Sequence, residues 1–123
     1  MEELLRYDGP VQMAERITLE PVEVAGRIIP AGRVVVLAVG AANHDPRVFD
    51  HPGELDVFRN PNPHLSFGGG AHFCIGAPLA RLEARVVVPN LVRRLAGLHV
   101  MTKRLEWRPS FTVRGLRTLP LRW

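Results

Sequence analysis

The sequence holds one cysteine, Cys74. A single thiol cannot close an internal disulfide or build a zinc site from several thiolates, so the expected setting is a reducing cytoplasm. Long apolar runs are missing as well. The longest uncharged one, Val34 to Ala42, is far too short to span a bilayer. Glu2, Glu3 and Arg6 stand where the apolar core of a signal peptide would be, so no targeting segment is expected. Aromatics are sparse, at five Phe, two Trp and one Tyr, and no internal repeat or low-complexity tract appears. Membrane-spanning, disulfide-stapled and repeat architectures are thereby excluded.

What is present is a chain of 123 residues with 46% hydrophobic content and mean hydropathy near zero, which argues against disorder. At this length about two thirds of the unfolded surface can be buried, enough for one domain at most. The net charge of +4 divides unevenly. Residues 1–80 carry six basic and ten acidic side chains, whereas residues 81–123 carry ten basic ones against only Glu83 and Glu106. The arginines of the basic half are spread through apolar positions, and neither a zinc-finger nor an RNA-recognition motif accompanies them. No nucleic-acid partner is therefore expected, and an acidic protein fits the same charge.

Along the chain, residues 2–7 read as the last turns of a helix stopped by Gly9-Pro10. The pattern then becomes strand-like at Ile17-Leu19, Val22-Val24, Ile28-Ile29 and Val34-Val39, with turns at Ala25-Gly26-Arg27 and Pro30-Ala31-Gly32, which predicts a small antiparallel sheet. Ala41 to Val48 suits a short helix. From Phe49 to Leu65, Pro52, Pro61 and Pro63 with Gly53, Asn60 and Asn62 leave an irregular stretch of a length that is usually functional or disordered. After Gly76 a helix is predicted, with Pro78 in its first turn, an apolar stripe through Leu79, Leu82 and Val86 to Leu95, and Gly97 beyond its end. Pro89 should kink it. The remainder reads as short strands at Leu98-Met101, Leu105-Trp107 and Phe111-Val113, ending in Leu119-Pro-Leu-Arg-Trp123. The fold class is α+β.

Between the irregular stretch and the long helix lies Phe67-Gly68-Gly69-Gly70-Ala71-His72-Phe73-Cys74-Ile75-Gly76. Taken alone, a cysteine is often a small buried hydrophobe and three glycines a turn. Here the cysteine precedes a helix N-terminus, where free N–H groups and the dipole favour a thiolate. The glycines can take positive φ and turn backbone N–H groups toward the sulfur, and Gly76 leaves room for a large flat group. A Cys-His nucleophile is disfavoured because His72 lies only two positions away, and a phosphate loop would need a Lys and a Ser or Thr that are lacking. A haem whose iron takes Cys74 as axial ligand is the third chemistry.

The run Phe67-x-x-Gly70-x-x-x-Cys74-x-Gly76 with Ala80-Arg81-x-Glu83 resembles the haem-ligand loop of the cytochrome P450 superfamily, of the bacterial type. Glu3-x-x-Arg6 resembles the family's Glu-x-x-Arg helix, and Leu55-Asp56-Val57-Phe58-Arg59 the segment supplying its second arginine. The resemblance implies the C-terminal part of that fold as a single partial domain, residues 1–123, holding haem b. It implies Cys74 as iron ligand, Arg16 and His72 on the propionates, and Phe67, Gly68, Gly76 and Ala80 around the cofactor. Glu3, Arg6 and Arg59 would be a structural triad. The segments near Val11 to Ala14 and Phe111 to Leu116 would line the substrate site, and the ending resembles that of bacterial members.

The implied reaction inserts one oxygen atom into a small organic substrate. Its electrons would arrive through an acidic ferredoxin-like donor docked on a basic face bearing Arg81, Arg85, Arg93 and Arg94. Complete members of the family are several times longer and carry an acid-alcohol pair on a distal helix. Here Thr18, Thr102, Thr112 and Thr118 all fall in strand-like or turn segments, so that oxygen-activating helix is not in this sequence. Three readings stay open: a truncated gene product, a proximal half that joins a separate chain, and a free-standing haem- or protein-binding module without catalysis.

Overall fold

The structure, a computed structural model, describes residues 1–123. Helix α1 (Glu2–Asp8) leads into strand β1 (Ala14–Ile17), the hairpin β2 (Val22–Val24) and β3 (Arg27–Ile29), and strand β4 (Val34–Leu37). A short helix α2 (Val39–Ala42) and the irregular meander follow. Helix α3 (Ala77–Arg94) is the long element, and a last ribbon joins β5 (His99–Val100) to β6 (Leu121–Arg122).

The strands form three two-stranded antiparallel ribbons rather than one sheet. β1 pairs with β4 in the register Ala14↔Leu37 to Ile17↔Val34, and the β2–β3 hairpin projects from the end of that ladder. Thr18 explains the division: its N–H donates to the Arg33 carbonyl, its hydroxyl to the Pro30 carbonyl at 2.7 Å, and it accepts the Arg33 N–H at 3.0 Å. The Thr18 carbonyl also takes the Gly32 N–H at 2.7 Å, so backbone and hydroxyl together tie the chain at the point where the hairpin departs from the ladder. In the C-terminal segment, Leu105-Trp107 and Phe111-Val113 make only the single bridges Trp107↔Leu116 and Val11↔Val113, because Pro109 and the Ser110 turn leave no room for a ladder. The predicted helix over Ala41 to Val48 is shorter and earlier, ending at Ala42, with turns from His44 onward that run through Pro46. Pro78 lies in the first turn of α3, and the helix runs unbroken across Pro89, which interrupts one backbone hydrogen bond without ending it.

Few residues are buried. The apolar ones are Val39, Phe49 and Ala77, and beside them stand three polar side chains, Glu3, Arg6 and Asn43. The chain exposes 9781 Å², against roughly 6,600 Å² for a self-contained domain of its mass. Helix α3 shows the reason, since Leu79, Leu82, Val86, Val87, Leu91 and Val92 are all at least 44% exposed. A helix apolar on several sides is of the kind that larger proteins surround.

Polar bonds hold the elements together instead. The Glu3 carboxylate accepts a fork of two bonds from Arg6 at 2.8 Å each, Arg59 Nε at 3.2 Å, the Asp56 N–H at 3.0 Å and Asn62 Nδ2 at 2.9 Å. Arg6 spends its other N–H groups on the carbonyls of Asn43, Pro52 and Glu54, and Arg59 reaches the Asp50 carbonyl at 2.7 Å. Asn43, which the sequence reading passed over, takes the Leu65 N–H on Oδ1 at 2.7 Å and donates to Ser66 Oγ at 2.9 Å. Ser66 in turn donates to the Leu5 carbonyl. A side chain at Gly9 would collide with that same carbonyl, so the residue closing α1 has to be glycine.

The Arg6 fork holds the Glu3 carboxyl at about 2, against an ordinary 4.5, overcoming the opposing effect of burial. The folded value is the lower one, so this stabilisation is complete above about 4.5 and is lost as pH falls toward 2. Urea midpoints are therefore expected to be flat from neutrality to about pH 5 and to fall steeply below. Glu3→Gln, which leaves Arg6 buried without its counter-charge, is expected to cost about 3–5 kcal/mol and to remove the share of that acid dependence that Glu3 supplies. Asn43→Ala is expected to cost about 1–3 kcal/mol, measured in the same titrations.

Candidate functional site

The segment from Leu65 to Gly76 is a closed loop. The Gly68 N–H bonds the Leu65 carbonyl at 2.8 Å, a 3₁₀ turn covers Gly70–His72, and the Cys74 N–H returns to the Phe67 carbonyl at 2.8 Å. Gly68 and Gly70 have φ of +74° and +60°, which is why side chains are absent there. The Cys74 carbonyl then accepts the Ala77 N–H at 3.1 Å, joining the loop to the first turn of α3. Cys74 itself is free and exposed. Gly76 borders the sulfur, but a Cβ there would only touch Sγ at 3.7 Å, so the chain itself does not require glycine at that position.

Arg16 on β1 and His72 on the loop line one apolar cleft of about 460 Å³ with Leu37, Leu65, Gly68 and Gly69. That volume suits an organic ligand. Arg16 is opposite Val35 and makes no salt bridge, donating only to the neighbouring Glu15 carbonyl. One cation and one imidazole thus face a mostly apolar recess. Ala80 is half-buried a turn into α3, its N–H on the Gly76 carbonyl at 2.9 Å.

Phe67 is half-buried and packs at 6.3 Å between ring centroids from Phe73 and at 6.1 Å from His64. Above its face stands the Arg81 guanidinium at 4.6 Å. Arg81 is also salt-bridged to Glu2 at 2.8 Å, so one of the four arginines of the basic face is occupied. That hydrogen-bonded pair holds the Glu2 carboxyl down at about 2 and raises Arg81. Glu2 and His64 were missed from the sequence, where Glu2 looks like the redundant neighbour of Glu3. The segments around Val11 and Val113 meet: the Gln12 N–H donates to the Thr112 carbonyl at 2.9 Å and the Arg114 N–H to the Pro10 carbonyl at 2.7 Å.

With this geometry, the sequence profile described as Cytochrome P450 matches residues 1–110. The chain belongs to that family. It is 44% identical over 121 residues to a biotin biosynthesis cytochrome P450 of Bacillus subtilis, aligning 98% of this chain with 31% of the relative. It is 47% identical over 126 residues to the cytochrome P450 monooxygenase PikC of Streptomyces venezuelae, all of this chain against 30% of the relative. Among solved structures, P450BioI in complex with an acyl carrier protein ligated to hexadec-9Z-enoic acid superimposes with a TM-score of 0.93 at 44% identity, covering 98% of this chain and 31% of that one. The chain therefore spans about a third of the length of these relatives. No helix is long and apolar enough to cross a membrane.

Gly68 and Gly76 separate by mechanism. Gly68→Ala forces a side chain into a left-handed backbone and is expected to cost about 1–3 kcal/mol in urea unfolding. Gly76→Ala, at φ −81° and with its Cβ merely in contact, is expected to change the midpoint by less than about 0.5 kcal/mol.

Proposed function

We propose that this chain is the proximal, cofactor-holding part of a haem-thiolate monooxygenase, with Cys74 as the axial ligand of haem b. The observation that carries this reading is an exposed thiol on a glycine-bracketed loop beside an apolar cleft with Arg16 and His72 at its wall. The residues fit the group. Arg16 has no internal carboxylate partner and suits a propionate in charge and fork geometry, His72 offers a second donor, and Phe67, whose carbonyl takes the Cys74 N–H, would lie on the sulfur side of the cofactor. Gly76 keeps a Cβ from standing 3.7 Å from the sulfur, and Gly68 and Ala80 would border the cofactor. When bound, the haem would supply dioxygen activation, with insertion of one oxygen atom into a small organic substrate.

Arg85 and Arg94 on α3 make no salt bridge, and with Arg93 they support docking of an acidic ferredoxin-like donor. Its affinity is expected to fall as salt rises, and affinity unchanged across salt would exclude that mode. Turnover by this chain alone is not expected, because the sequence has no helical acid-alcohol pair to relay protons.

The test is reconstitution. Haem added to the purified chain, reduced under carbon monoxide, is expected to give the strongly red-shifted Soret band of thiolate ligation, and Cys74→Ser is expected to lose it. Gly76→Ala is expected to weaken haem uptake while sparing the stability of the haem-free chain. A chain that takes up no haem would favour a remnant or a protein-binding module.

A further inference from the structure

We propose that Glu2, Arg81 and Phe67 form a positioning relay, braced by His64, that fixes the loop presenting the Cys74 sulfur. The proposal rests on the haem-thiolate reading for its purpose, though not for its geometry. Glu2 and Glu3 are adjacent on α1 and so point about 100° apart around the helix. Glu3 faces the meander, and Glu2 faces the loop.

Arg81 closes on Glu2 through three hydrogen bonds, Nε to both carboxylate oxygens at 3.0 and 3.1 Å and Nη2 to Oε2 at 2.8 Å. The guanidinium so held stands over the Phe67 ring, 4.6 Å from its centroid. On the other side, the Ser66 N–H donates to His64 Nδ1 at 3.2 Å, so Nδ1 must be an acceptor. The neutral ring then carries its proton on Nε2, which donates to Glu2 Oε2 at 3.1 Å. The His64 side chain is only 3% exposed, so the imidazole is held in place beneath a Glu2 carboxylate that is itself 38% exposed. Phe67 finally passes the restraint on, since its carbonyl takes the Cys74 N–H. Arg81 is thus a positioning residue for the sulfur rather than a free docking charge.

Two measurements on the full chain test this. In the haem-free protein, amides of residues 67–76 are expected to exchange about tenfold or more faster in Glu2→Gln and Arg81→Ala than in the wild type, as loss of charge-assisted bonds implies. Arg104→Ala, remote from the loop, is the control and is expected to leave these rates unchanged. In the haem-loaded protein, the same two variants are expected to move part of the reduced carbon monoxide band to the shorter wavelength of a protonated thiol and to raise the reduction potential. Arg81→Lys, which keeps charge but not the fork, is expected to fall between. Exchange rates equal to wild type in both variants would overturn the relay. Faster exchange with an unchanged thiolate band and potential would overturn its role toward the sulfur. A wild-type chain that binds no haem would defeat the haem reading, while the exchange rates would still decide the relay.

Discussion

One buried carboxylate organises this chain. Glu3 is 4% exposed, and an ion so desolvated is tolerable only with full compensation. Arg6, one turn along the same helix, supplies the counter-charge at no cost in chain closure, while Arg59, Asn62 and the Asp56 amide come from the meander to complete the shell. The meander has no ladder or helix of its own. Its course is set by carbonyls turned toward two guanidinium forks, those of Pro52 and Glu54 toward Arg6 and that of Asp50 toward Arg59. Through Asn43 and Ser66 the same helix reaches the start of the glycine loop, and through Glu2 it reaches α3.

Polar order and apolar exposure are therefore complementary here. Three buried apolar residues cannot supply the stability of a domain, and the apolar sides of α3 remain open to solvent. A chain spanning a third of its relatives' length, with this excess of accessible surface, has its internal geometry set by hydrogen bonds and its hydrophobic faces unmatched within itself.

Much of the architecture was legible because it depends on local signals. Gly9-Pro10 marks the end of α1, Ala25-Gly26 the hairpin turn with φ of +49° and +77°, and Pro78 the first turn of α3. The loop around Cys74 stood out because three consecutive glycines and a lone thiol are rare together. Less legible were features that depend on distant residues. Asn43 joins α1 to residues 65 and 66, an arrangement no spacing rule announces. Glu2 and Arg81 lie 79 positions apart, and no local pattern in the sequence pairs them across that distance. The strands expected at Leu105-Trp107 and Phe111-Val113 are single bridges for a related reason: short runs with aromatic or β-branched residues beside Pro109 and Gly115 satisfy propensity without providing a ladder partner, whereas His99–Val100 finds one in β6.

The haem-thiolate proposal rests on a restrained loop, an exposed sulfur and a cleft with a single unpaired cation. Because Cys74 is the only cysteine, labelling cysteine with heavy sulfur marks that atom alone. Resonance Raman of the haem-loaded ferric chain is expected to show an iron–sulfur stretching band that moves to lower frequency on such labelling. A haem-loaded chain whose low-frequency spectrum lacks that band, or does not respond to the label, would contradict ligation by Cys74.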